Sequence, residues 1–366
     1  MKIAFLCRSL ERGRDGVGDY TRRLAAELVR HGHPSVVVGL NESAISASVF
    51  EAQEMEGASV PVLRLPEIMP WGERATAARE WLDAFNPDWV SLQYVPFAFH
   101  PKGLTFGFAD TVKEIIGSRP LHWMFHELWL LWNLPLPLRQ RGVGQLQKAC
   151  IRRCLRKLKP RAVATQLPLY QAELRKIGIA AELLPLHGNI PVQANGDADQ
   201  WLTARCAALK MPETLTAGFF GNLLSTLDAG LVAAQLARLN VPKDRLLMLL
   251  AGKIGAESAR HWESLEQELK ASATFHKLGE LDEREASYYF SSLDYGLTSY
   301  PSKLMNKSGS VAAMREHGLQ VIACGVLNGS SARPGHASDQ DSAAEGPWTV
   351  NRSALFLLRQ LEQARL

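Results

Sequence analysis

Short apolar runs alternate with amphipathic stretches along most of the chain. In the first half the runs are residues 2–9, 35–40, 60–65, 89–94, 121–125, 162–165 and 181–186, several of them bounded by Gly or Pro. Runs that are apolar throughout, rather than alternating, suit strands buried on both faces of a parallel sheet. Helical patterns lie between them, the first over Tyr20 to His31. Strand and helix in repetition predict a doubly wound, Rossmann-like α/β domain.

The pattern breaks from His187 to Thr214. Gly188, Pro191, Asn195, Gly196 and Asp197-Ala198-Asp199 make this stretch polar and turn-rich, with one short helix expected near Gln200–Leu209. Alternation then restarts, with strands expected at 215–220, 245–251, 274–278, 295–298 and 319–323. From Gly325 to Glu345 the residues are small and polar, as in a surface loop. A helix over Asn351 to Leu366 follows, and Leu355, Leu357, Leu358 and Leu361 give it an apolar face. The expected organisation is an N-terminal domain over 1–190, a linker region over 191–214, a second Rossmann-like domain over 215–345 and a closing helix within 346–366.

Composition agrees with two globular domains. The chain has 366 residues, 46% hydrophobic and 21% charged, which sets aside disordered and collagen-like classes. A net charge of +4 makes no case for a nucleic-acid binder. Five cysteines, Cys7, Cys150, Cys154, Cys206 and Cys324, lack the spacing of a disulfide framework or zinc site, and a reduced, cytoplasmic setting is expected. Residues 1–6 meet charge at Arg8 and Glu11 and read as a first strand rather than a signal peptide. The longest apolar candidate for a membrane span, Leu128 to Leu138, is broken by Asn133, Pro135 and Pro137. Arg152, Arg153, Arg156, Lys157, Lys159 and Arg161 cluster over Cys150–Arg161. That basic helix suits either a solvated face or peripheral contact with an anionic membrane.

Several strand-end loops carry candidate chemistry. Asp15-Gly16-Val17-Gly18-Asp19-Tyr20 follows the first strand and leads into a helix. Gly16 and Gly18 could admit a ligand to a helix start, or belong to an ordinary βα loop. His126 and Glu127 end a central strand, where a His and a carboxylate could orient a hydroxyl or polarise a leaving group. A packed strand-end histidine is the alternative. Gln93 and Tyr94 end the preceding strand, and Phe97, Phe99 and His100 make the next loop aromatic, suited to sugar stacking or to core packing.

Asn306-Lys307-Ser308-Gly309-Ser310 opens a helix expected over Val311 to His317. Lys307, Ser308, Gly309 and Ser310 combine a cation, two hydroxyls and helix-start amides, a donor set for a diphosphate. Ser308 or Ser310 could equally cap the helix. Asn222, in the loop after the first strand of the second domain, and Lys253, in the loop after the next, would face the same edge of that sheet. A simple turn and a solvated lysine are their plainer roles.

Together these stretches resemble the GT-B glycosyltransferases of family four, the retaining, glycogen-synthase-like group, over most of the chain. Gly16 to Ala25 and His31-Gly32-His33 resemble the family's first loop and helix, and His126-Glu127 its His-Asp pair. His187-Gly188-Asn189-Ile190-Pro191 resembles its inter-domain stretch, Phe219-Phe220-Gly221-Asn222 its second-domain start, and Ala313-Met314, Gly318 and Val321-Ile322-Ala323 its later helix and strand. Two glutamates usual in the family fall at Leu304 and Ala312, and its usual Arg and Lys fall near Asn222 and Asp228. The chain reads as a divergent subgroup.

The resemblance implies two Rossmann-like domains facing across a cleft, and transfer of a sugar from a nucleoside diphosphate sugar to a hydroxyl of a glycan, lipid-linked or small-molecule acceptor. No cofactor beyond that donor substrate is implied. Metal independence is expected because no Asp-x-Asp cluster ends a strand; Asp197 and Asp199 have the spacing but lie in the linker. A binding or regulatory subunit that has lost turnover, and another sugar-nucleotide enzyme such as an epimerase, stay open as alternatives.

Overall fold

The computed structural model describes residues 1–130, 138–193, 197–206, 213–239, 241–242, 245–326 and 348–365. The apolar runs at Asn133, Pro135 and Pro137, the Asn195-Gly196 turn and most of the 325–345 loop lie outside these residues. The chain forms two compact units, one of Met1–Leu186 with Thr349–Leu366, the other of His187–Trp348.

The first unit holds eight strands: β1 (Ile3–Cys7), β2 (Ser35–Glu42), β3 (Val49–Met55), β4 (Ala58–Pro66), β5 (Trp89–Tyr94), β6 (Leu121–Phe125), β7 (Ala162–Thr165) and β8 (Glu182–Leu183). Their order is β3-β4-β2-β1-β5-β6-β7-β8, parallel throughout except for the β3–β4 hairpin. The helices are α1 (Gly16–Arg30), α2 (Trp71–Phe85), α3 (Pro96–Phe99), α4 (Phe108–Ile116), α5 (Leu138–Leu158) and α6 (Pro168–Arg175). Every residue of β1, β5 and β6 is buried, the polar Ser91, Gln93 and His122 included, as expected of strands covered on both faces.

Two sequence expectations are corrected here. β3 was not anticipated: its Glu51, Gln53 and Glu54 belong to a half-exposed edge strand that carries no apolar run. The strand expected over 181–186 shortens to the two residues of β8 at the other edge of the sheet.

The second unit holds β9 (Leu215–Phe220), β10 (Leu246–Ala251), β11 (Thr274–Gly279), β12 (Tyr295–Pro301) and β13 (Gln320–Gly325), in the order β11-β10-β9-β12-β13 and parallel throughout. Its helices are α7 (Ala198–Arg205), α8 (Ala229–Leu239), α9 (Ala256–Leu269), α10 (Glu283–Ser292) and α11 (Gly309–Glu316). The chain reverses direction across the sheet between β9 and β12, the place where loops part to leave a ligand crevice in such sheets.

The last helix, α12 (Val350–Gln363), returns to the first unit. Thr349 caps it by accepting from the Arg352 amide, and Leu357 and Leu361 are fully buried against β1 and α1 residues such as Ile3, Phe5 and Leu24. Burial of two such leucines contributes about 4 kcal/mol. Among the described residues no helix is long and apolar enough to cross a membrane. All five cysteines are buried free thiols.

Candidate functional site

At the carboxyl edge of the first unit, the loop between β1 and α1 is held from beneath by Glu42. This carboxylate is fully buried and accepts from Ser9 Oγ and the Leu10 amide, each at 2.6 Å, and from Arg64 Nε at 3.1 Å. Charge-assisted bonds of that number fix the loop's course. Asp15 then caps α1, its Oδ1 accepting from the amides of Val17 at 3.0 Å and Gly18 at 2.9 Å. Asp19, paired with Arg22 and accepting from the Gly13 amide, sits deep enough that burial raises its pKa to about 6.

The helix start already has an anion, the Asp15 carboxylate. At Gly18 a side chain would meet the protein itself, since a Cβ there would lie 2.1 Å from the Ser9 carbonyl oxygen. Gly16 is different, because no atom comes within 4 Å of its would-be Cβ.

His126 follows β6 and points inward rather than into an open crevice. Its side chain is 3% exposed, with Tyr20 edge-on at 5.0 Å between ring centroids. Nδ1 lies 3.2 Å from Gln166 Oε1, and Nε2 lies 2.8 Å from Gln93 Oε1. Gln166 is locked, since its Nε2 donates to the His126 carbonyl at 3.0 Å, so Nδ1 carries the proton of the neutral ring. Gln93 as oriented suits the protonated ring. A half-turn of its amide suits the neutral one, because the Ser91 hydroxyl on its other side can donate as well as accept. Ser91 in turn bonds His122 Nδ1 at 2.8 Å. Burial pushes the His126 pKa down to about 4 and that of His122 to about 3. Of the expected His-Glu pair, then, the histidine joins a buried polar row, while Glu127 is half-buried at the surface end of the same turn.

Gln166 was missed by sequence reasoning. The available signal was its place one residue past β7, level with Gln93 and His126 at the ends of neighbouring parallel strands.

In the second unit the strand-end loops are tied to one another. Asn222 Oδ1 accepts from the Gly255 amide and from Ser258 Oγ, both at 2.9 Å, joining the loop after β9 to the start of α9. Lys253 is exposed on the loop thus held. The Leu224 amide donates to Ser299 Oγ at 3.0 Å, and Thr226 Oγ1 to the Ser299 carbonyl at 2.8 Å, which binds the same loop to β12 across the reversal point.

After β12 a 3-10 turn over Ser302–Lys307 leads to α11. The helix begins two residues earlier than its apolar pattern suggested. Ser308 is its cap, with Oγ accepting from the Val311 amide at 3.3 Å, so that hydroxyl is engaged. The amides of Gly309 and Ser310, in the first turn, lack intrahelical acceptors. Lys307 is the last residue of the 3-10 turn, directly before the cap.

Asn189 joins this place from a distant part of the sequence. The Gly188 amide donates to Glu316 Oε1 at 2.9 Å, and a Cβ on Gly188 would fall 2.6 Å from Ala313 Cα, so the strand of chain from His187 lies directly on α11. The amide group of Asn189 then packs against Gly309, and its buried Oδ1 has no hydrogen-bond partner among the described residues.

Residues 15–189 match the family model described as a glycosyl transferase 4-like domain. The matched stretch takes in the Asp15 cap, Gln93, His126 and Gln166, and ends at Asn189. No curated protein sequence matches the chain significantly. Among solved structures, HepE from Anabaena, in complex with UDP and glucose, is similar with a TM-score of 0.56 and 14% identity, covering 100% of this chain and 91% of its own. Sucrose-phosphate synthase from Thermosynechococcus elongatus gives 0.56 and 13%, covering 100% and 90%. The catalytic domain of starch synthase IV from Arabidopsis thaliana, bound to ADP and acarbose, gives 0.53 and 13%, covering 100% and 92%. The chain thus has the GT-B fold.

Proposed function

We propose that this chain transfers a sugar from a nucleoside diphosphate sugar to a hydroxyl acceptor, with retention and without a metal. The observation that carries this is the start of α11: Lys307, two amides without intrahelical acceptors and an Asn189 oxygen with no hydrogen-bond partner among the described residues, beside the chain reversal of a parallel sheet. The match to a glycosyl transferase 4-like domain and the GT-B fold, seen in HepE with UDP and glucose, support it.

In this mechanism the Gly309 and Ser310 amides and Lys307 accept the charge that builds on the diphosphate as the glycosidic bond breaks. Donors already in place cost no reorganisation in the transition state. The departing phosphate oxygen takes the proton of the acceptor hydroxyl attacking on the same face. No carboxylate is needed for that step, which is consistent with apolar Leu304 and Ala312. Asn189 Oδ1 accepts from a hydroxyl of the bound ligand. Asn222 holds the loops in register, and Lys253 adds positive charge. The His126 row shapes the carboxyl edge of the first unit rather than exchanging protons with substrate.

Apolar residues at Leu304 and Ala312 also favour a second role, donor binding without turnover. One experiment separates the two and tests the phosphate assignment: nucleoside diphosphate sugars are screened for thermal stabilisation, for slow hydrolysis and for transfer. Lys307→Ala is expected to weaken binding by roughly tenfold to a hundredfold, the loss of one charge-assisted contact. Ser308→Ala should lower the stability of the free protein by about 1 kcal/mol through the lost cap. Binding unaffected by Lys307→Ala would remove the phosphate assignment. Binding with neither hydrolysis nor transfer would leave the non-catalytic role.

A further inference from the structure

The basic residues around Cys150–Arg161 surround a feature that sugar transfer does not use. At the amino edge of the first unit's sheet, where the chain enters β6 and β7, Lys113, Arg119, Lys159 and Arg161 line a polar pocket of about 200 Å³. None of its lining residues is acidic. The volume is about that of seven waters in the liquid.

Two turns build the pocket. Gly117, at φ +61°, ends α4, and Lys159, at φ +46°, ends α5. A lysine in the left-handed region is disfavoured, yet here it allows α5 to pass into β7 within three residues and sets Lys159 and Arg161 on the rim. Arg119 is held on one side by Asp83 at 2.6 Å and by the Ile116 and Leu82 carbonyls, while its buried Nε has no hydrogen-bond partner among the described residues. Lys113, Lys159 and Arg161 are exposed, and so are Arg152, Arg153 and Arg156 along the outer face of α5. Lys157, by contrast, is paired with Asp110.

With Arg119 paired to Asp83, Lys113, Lys159 and Arg161 still repel one another around a small pocket, and an anion with more than one charge relieves that repulsion. Guanidinium and ammonium donors are the groups that recognise phosphate oxygens. We propose that this pocket binds a phosphate-bearing anion, as a lipid headgroup or as a free phosphate, with the exposed arginines of α5 supplying long-range attraction.

The test uses the full chain with two probes: sedimentation with vesicles of equal parts phosphatidylglycerol and phosphatidylcholine, and thermal stabilisation by millimolar inorganic phosphate. Lys159→Gly combined with Arg161→Ser removes two pocket charges and suits the left-handed turn. Arg238→Ser combined with Lys270→Ser removes the same charge from the exposed surface of the second unit. The pocket variant should lose roughly thirtyfold in vesicle partitioning, about fivefold for each charge, while the control retains it. Lys113→Ser, on the opposite wall and away from both turns, should lose about fivefold, which guards against misfolding of the double variant. Selective loss of vesicle binding identifies a headgroup as the source, and selective loss of phosphate stabilisation without vesicle binding identifies free phosphate. Equal loss in pocket and control variants, or no response to either probe, overturns the proposal.

Discussion

At pH 5 the first unit should be about 2 kcal/mol less stable than at pH 7, because two imidazoles that are neutral when buried take up protons as it unfolds. His122 and His126 have native pKa values of about 3 and about 4, below the 6.5 of the free side chain. Their stability contribution is complete above pH 6.5 and is lost as pH falls towards 4. Asp19 works in the opposite sense. Its carboxyl, raised to about 6 from 3.8, is a proton acceptor in the native state, so the fold regains part of the loss between pH 6 and 4. Urea unfolding followed by tryptophan fluorescence at the two pH values measures the difference. His122→Asn should flatten the pH dependence, and a wild-type protein equally stable at both values would show that the imidazoles are not buried neutral.

Gly18→Ala should cost about 3 kcal/mol, whereas Gly16→Ala, two residues earlier in the first turn of α1, should be near neutral. A methyl at Gly18 would stand 2.1 Å from the Ser9 carbonyl oxygen and 3.2 Å from its carbon. Both are backbone atoms, and Ser9 is itself anchored through its hydroxyl to buried Glu42. Nothing there can rotate away, so α1 must shift on β1. Gly16 faces open space. Denaturation midpoints of the two variants decide the matter: equal effects would mean that the close approach of α1 to Ser9 is not what Gly18 serves.

The parallel sheets were legible because strands such as Ile3–Cys7 and Leu246–Ala251 are buried on both faces and their residues are apolar without break. The same logic hid β3, whose glutamates sit on an exposed edge and whose pairing depends on the tight turn at Glu56-Gly57. Lys307 to Ser310 stood out in the sequence because donor residues gather in consecutive positions at a helix start. Asn189 did not, since it reaches Gly309 across more than a hundred residues through the bare backbone of Gly188. His126 was legible as a position and not as an environment. Its burial depends on Gln93, Gln166 and Tyr20, which come from three separate elements and share no sequence pattern.

The return of α12 to the first unit has a consequence for the order of events during synthesis. Leu357 and Leu361 complete a core whose other members, Ile3 and Phe5 among them, leave the ribosome more than three hundred residues earlier. The half of the protein translated first is therefore the half that finishes last. A chain that ends before residue 349 would leave Ile3, Phe5 and Leu24 without the leucines that cover them.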